Sequence, residues 1–289
     1  HGTGDTMKEP SRSTWRLIQE AWDRPRRSRE SAVEAHRISN LIRSGDRSGN
    51  LIDRIITLVE PTLGLSRRST EEDASLKRRR YAHPNDILRA RLASPSLVTF
   101  GDLRLATVVE PSFLEELAVG LNSALERTLA AARRLGWDGE HHLWRLGFLY
   151  RVEYSSRRGE GVPGDVDEFH EGIAPTAKLL YAVVEHLSRF SPGRAERFGR
   201  RWSDAEDPIH FRLWAALARN DALASAEMVG RALISTSSRR FWNLHDFPEI
   251  ALLRATRFDD LSARDQRRVL NRIRTGPPPA QWPKDAHLV

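Results

Sequence analysis

The chain has 289 residues with 46 basic and 39 acidic side chains, and 39% of it is hydrophobic, enough apolar material for the core of one large or two medium domains. Zero cysteines exclude disulfides, thiolate metal sites and cysteine nucleophiles and point to a cytoplasmic protein; no run of about 18 apolar residues spans a membrane, and the first residues lack the apolar centre of a signal peptide. The net charge of +7 invites a nucleic-acid reading, but only Lys8, Lys77, Lys178 and Lys284 are lysine, and the basic excess is split between residues 1–110 and 191–289 around a net-acidic 111–190.

In chain order, residues 1–13 are polar and read as a disordered or tag-derived tail. A first helix is expected from Thr14, with Trp15, Ile18, Ala21 and Trp22 on one face and Pro25 as its stop. Ser31 to Ile42 and then Leu51 to Val59 follow as helices, the latter ended by Pro61. Residues 64–80 are polar and predict an exposed connection, and Ala82-His83-Pro84-Asn85-Asp86 restarts helix through Ile87, Leu88 and Leu92. A short element at 99–108 carries Leu103, Leu105 and Val108. Glu110-Pro111-Ser112 opens a long helix striped with Leu114, Leu117, Leu121, Leu125 and Leu129 and ended at Gly136. His141 to Arg151 predicts a short aromatic helix.

Residues 155–172 hold Gly159, Gly161, Pro163 and Gly164 and the acidic run Asp165 to Glu171. This is a solvated linker between an N-terminal helical half at 14–154 and a C-terminal half at 173–289. Beyond it come helices at 175–190, 195–202 and 223–234. Between the last two lies the best-specified element in the chain: Asp207 caps the free N–H groups of a first turn, Pro208 takes the first helical position, and only Arg212 and Arg219 look wet in the apolar helix that follows. Nothing alternates at period two for long enough to predict a strand, so the fold class is all-α, a helical-hairpin (HEAT-like) array or irregular α-solenoid.

The C-terminal stretch Arg240-Phe241-Trp242-Asn243-Leu244-His245-Asp246-Phe247-Pro248-Glu249-Ile250-Ala251, followed by Leu253, Arg257-Phe258, Leu261 and Leu270-Asn271-Arg272-Ile273-Arg274-Thr275-Gly276-Pro277-Pro278, resembles the C-terminal α-helical repeat region of large multidomain bacterial phage-defence proteins that carry a sirtuin-like or nucleotide-binding module elsewhere. The resemblance covers about the last 80 residues. It implies a non-catalytic helical region, since no active-site motif of those modules is present.

The chemistry-bearing constellations are sparse. His245-Asp246 has the pairing used by all-α metal phosphohydrolases, but Pro248 interrupts the helix that such a site needs. His141 and His142 point about 100° apart on a helix and cannot share an ion. Asp165, Asp167, Glu168, His170 and Glu171 form a set of hard ligands without the glycine and terminal glutamate of a calcium loop. No Gly-x-Ser-x-Gly elbow, Walker A sequence or dinucleotide fingerprint occurs.

The leading reading is therefore a non-enzymatic helical module that binds a protein partner, or other domains of a larger chain, through Trp242, Phe247 and Arg240, with no cofactor, no metal and no membrane. A second reading is nucleic-acid binding by the basic run Lys77, Arg78, Arg79 and Arg80, with Tyr81 available to stack. A metal-dependent hydrolase is the third.

Overall fold

The computed structural model describes residues 8–9, 11–23, 31–67, 88–93, 97–155, 165–168 and 172–278. Lys77, Arg78, Arg79, Arg80, Tyr81, His170 and Glu171 lie outside the described residues. Among those described, eleven α-helices accompany a single two-stranded sheet, and the fold is all-α. The chain divides into two compact units, one formed by residues 1–149 and 154–183 and the other by 150–153 and 184–289. The described part of the expected linker thus belongs to the first unit.

In the first unit, α1 (Ser11–Asp23), α2 (Ser31–Arg43) and α3 (Gly49–Val59) are followed by β1 (Thr62–Arg67) and β2 (Leu88–Ala93), and then by α4 (Pro111–Arg134). Helix α1 begins within the expected tail, at Ser11. Ser48 caps α3 by accepting from the Leu51 N–H, and Ile38 and Ile42 of α2 are buried with Leu51 and Ile55 of α3. Packing of α3 on α4 is close at Gly120, where a β-carbon would run into the end of Ile56. Arg127 of α4 then grips Glu60 through two hydrogen bonds of 2.9 and 3.0 Å.

The strands correct two expectations. Residues 62–67 pair with 88–93 in antiparallel register, Leu63 opposite Leu92, where a loop and a helix restart were predicted. Both leucines are buried, α1 packs against β1, and the ladder satisfies the backbone groups beneath. Past α4, Leu143–Leu146 makes one 3-10 turn instead of the aromatic helix expected to Arg151. Gly172 then sits at φ +117 with the Leu146 carbonyl and Gly147 against it. No side chain fits in that contact, and it fixes the entry to α5 (Ala174–Phe190).

The second unit contains α6 (Pro192–Ser203), α7 (Pro208–Leu217), α8 (Ala226–Ser235), α9 (Ser238–Trp242), α10 (Pro248–Arg257) and α11 (Ala263–Thr275). Asp207 accepts from the N–H groups of Ile209 and His210, both at 3.0 Å, and Pro208 stands at the first helical position, as the local chemistry predicts. Every residue of α7 is buried, because α6 and α10 both pack on it. That includes Arg212, which was expected in water.

Candidate docking surface

The candidate surface grows from a short turn in the second unit. Ser237 caps α9, and at the other end of that helix the Asn243 Oδ1 accepts from the N–H groups of His245 and Asp246 at 3.1 and 2.9 Å. Such an Asx turn reverses the chain without further helix. Asp246 Oδ2 closes it by accepting from Asn243 Nδ2 at 2.8 Å and Arg239 Nη2 at 3.0 Å. Leu244 is left at the tip, 56% exposed.

Phe247 points the other way. It is 1% exposed and stands in front of Pro248, the first residue of α10, so the expectation that it anchors a partner is corrected: an apolar ring directly before a packed helix is core. Trp242 remains half-buried, its ring edge-on to buried Phe241 at 5.1 Å. Arg240 is also half-buried. Its guanidinium carbon lies 5.2 Å from the Phe211 centroid while Nη2 donates to the Glu206 carbonyl at 2.6 Å.

Two arginines that the sequence did not single out complete the arrangement. Arg254 of α10 and Arg272 of α11 flank Phe241, with guanidinium carbons 4.6 and 4.1 Å from its centroid, and Arg254 also lies 5.9 Å from the Trp242 centroid. Arg272 is tied down by the carbonyls of Leu233, Ile234 and Thr236 at the end of α8. Arg254 differs: among the described residues it makes no hydrogen bond or ion pair, and its Nη1 is buried without an acceptor there. Burial pushes the Arg254 pKa below the ordinary arginine value, and burial followed by the charge of Arg254 does the same to Arg272. Stacking on two rings offsets part of the lost hydration, but Nη1 finds no acceptor among the described residues. The arrangement can accept a carboxylate at Arg254 beside an apolar side chain at Trp242 and Leu244.

The other candidates are occupied elsewhere. Asp165 and Asp167 are buried, not solvated, and both carboxylates turn to the fully buried Lys178, whose Nζ lies 2.9 Å from Asp165 Oδ1 and 2.8 Å from Asp167 Oδ2. An ammonium stands where a metal ion would have to be. Tyr154 sits over that ammonium with its ring centroid 5.8 Å away; burial, then the charges of Asp165 and Asp102, hold its hydroxyl well above the usual tyrosine value. Asp246 is taken by Arg239 and Asn243, while His245 is exposed. The rings of His141 and His142 are 6.5 Å apart, and His141 Nδ1 faces Asp138 at 3.1 Å. Among the described residues no three His, Cys, Asp or Glu side chains gather as metal ligands, and no described helix is long and apolar enough to cross a membrane.

No family model, no curated protein and no solved structure matches this chain.

Leu244 and Arg254 carry weak sequence signals that were nonetheless available. An apolar residue between Asn and His-Asp in a turn has no core to enter. Arg254 follows Leu253, itself on the buried Ile250, Leu253, Arg257 face of α10, so it lies at the edge of the packed surface, where a long side chain can reach back over an aromatic pair.

Proposed function

We propose that the chain is a non-enzymatic α-helical module, an irregular helical-hairpin array, that docks a protein partner through the turn and helix edge formed by Trp242, Leu244 and Arg254. Arg254 carries this reading: a half-buried guanidinium stacked on Phe241 and Trp242, with no counter-charge among the described residues, is stabilised by a partner carboxylate, whose hydrogen bonds to it are charge-assisted. The partner segment offers an aliphatic or aromatic side chain for Trp242 and Leu244 with Asp or Glu a few residues away. Arg240, braced by Glu206 and Phe211, borders the same turn. Phe247 supports the surface from beneath and makes no partner contact.

The resemblance of about the last 80 residues to the tails of large bacterial defence proteins supports a larger assembly as the setting, with the partner either a separate protein or another domain of the same polypeptide.

Selection of displayed random peptides on the immobilised protein tests the reading. Acidic sequences containing an aromatic or aliphatic anchor are expected to be enriched, and Arg254→Ala and Trp242→Ala each remove the enrichment while Arg231→Ala leaves it. Enrichment that survives both surface changes would sink the proposal.

A further inference from the structure

We infer that α11 is a second binding surface, separate from the turn at Leu244, and that it takes the phosphate backbone of duplex nucleic acid. The observation is the distribution of charge on this helix. Arg264, Arg267, Arg268 and Arg274 are all exposed, and with Asn271 and Thr275 they occupy positions i, i+3, i+4, i+7, i+10 and i+11, which share one face. At 100° per residue these six span an arc of about 120° and run roughly 15 Å along the axis. The single buried side chain of the helix, Val269, lies on the opposite side.

What sets this face apart is that no described acidic side chain pairs with it. Three exposed arginines elsewhere are paired along their helices: Arg37 with Glu34, Arg200 with Glu196, Arg231 with Glu227. Among the described residues no carboxylate is within ion-pair reach of Arg264, Arg267, Arg268 or Arg274, and the one hydrogen bond made by these four is Arg267 Nε to its own helix at the Ala263 carbonyl. Asp265, the acidic residue in the first turn, is engaged by Ser262, whose hydroxyl donates to it at 2.9 Å while capping α11.

The pattern selects the ligand. An arginine fork on successive turns, about 5.4 Å apart, answers a linear array of anions, and duplex nucleic acid carries one charge per about 1.7 Å of axis. Guanidinium matches phosphate bidentately, and the amide and hydroxyl of Asn271 and Thr275 suit the sugar–phosphate edge. A lipid surface would demand apolar residues on the exposed face. Leu270 and Ile273 are exposed as well, 37% and 39%, but both lie outside the arc on the side nearer Val269, and the arc itself holds no apolar residue. The arc also lacks aromatic residues on which unpaired bases could stack, which favours the duplex over a single strand.

The test is fluorescence anisotropy of a labelled duplex with the full chain at several salt concentrations. Two triple variants remove equal charge: Arg264, Arg267 and Arg268 to Gln on the stripe, and Arg37, Arg200 and Arg231 to Gln elsewhere. The stripe variant is expected to lose roughly tenfold or more in affinity near 100 mM salt and to flatten the slope of log K against log salt by about 2 to 3, while the control changes little. A third protein with Lys at the three stripe positions keeps most of the affinity, which separates loss of charge from loss of fold. Four results overturn the inference: no duplex binding at about 50 mM salt, equal loss in both triple variants, binding to anionic phospholipid vesicles without binding to duplex, or tighter binding of single strand that the stripe variant retains.

Discussion

The Arg212 guanidinium and the Glu249 carboxylate meet side-on in the interior of the second unit, Nε to Oε2 at 2.7 Å and Nη2 to Oε1 at 2.9 Å, with 2% and 0% of the two side chains exposed. The pair also holds the chain at 150–153: Arg212 Nη2 donates to the Tyr150 carbonyl at 3.0 Å, and the Val152 N–H donates to Glu249 Oε1 at 2.9 Å. Removing one partner leaves a buried charge without compensation. Arg212→Met or Glu249→Leu alone is therefore expected to cost about 3–5 kcal/mol in urea denaturation. The double variant recovers part of this, not all, because Val152 N–H and Tyr150 C=O still lose their partners. Additive losses in the double variant would show that the two side chains do not act as a pair.

This pair also marks where sequence reading stops. Asp207 and Pro208 were legible because a cap and a first-turn proline act within three residues of one another. Arg212 was not: its charge predicts water, and the carboxylate that makes burial tolerable is 37 residues further on. Asp165 and Asp167 looked like a solvated run for the same reason, since Lys178 reaches them only once α5 has packed. The strands escaped because each is six residues long, and the alternation in Leu88-Arg89-Ala90-Arg91-Leu92 is too short to outweigh a helix signal. Of the proposed docking surface, the sequence reading already named Trp242 and Arg240, aromatic and basic residues beside a Pro turn. Phe247 could not be assigned to the core without knowing that α10 packs behind it.

The Lys178 node predicts a second stability experiment. Lys178→Met leaves two buried carboxylates facing each other across an empty ammonium position, and it is expected to destabilise the protein by about 3–5 kcal/mol. Adding Asp167→Asn to that variant removes one of the two charges while Asp165 keeps its hydrogen bonds from the Ser155 and Asp167 N–H groups. The second change should then restore part of the lost stability, a coupling that a thermal denaturation cycle measures directly. Further loss on adding Asp167→Asn would contradict the assigned geometry.

The cap on α7 makes stability depend on pH with a definite sign. Burial by itself raises the Asp207 carboxyl, but the His210 ring, 2.5 Å from Oδ2, and the N–H groups of Ile209 and His210 outweigh it and hold the pKa below the usual aspartate value. The folded-state pKa is thus lower than that of the unfolded chain, about 3.9. Its contribution is fully present above that unfolded value and is lost as pH falls through the folded one. Asp207→Ala should cost about 1–2 kcal/mol at pH 7, and the gap from the unmodified protein should shrink at pH 3. Asp207→Asn retains a capping oxygen and should cost less at neutral pH. A gap that widens toward low pH would reverse the assignment.

Phe247 and Trp242, five residues apart, should separate completely under the same substitution. Phe247 is enclosed, so Phe247→Ala removes a ring from the core and leaves a cavity, at an expected cost of about 3–5 kcal/mol in stability. Trp242 is half-buried against Phe241 and Arg254, and Trp242→Ala should cost the fold less while removing about 2 kcal/mol, some thirtyfold, from affinity for a selected acidic peptide. Phe247→Leu provides the control: it keeps apolar volume, and at temperatures where the variant remains folded its peptide affinity should match that of the unmodified protein. Isothermal titration with one peptide across the three variants decides the matter. If Phe247→Leu weakens the peptide as much as Trp242→Ala does, the turn is not the docking element and the surface assigned to Leu244 and Arg254 must be given up.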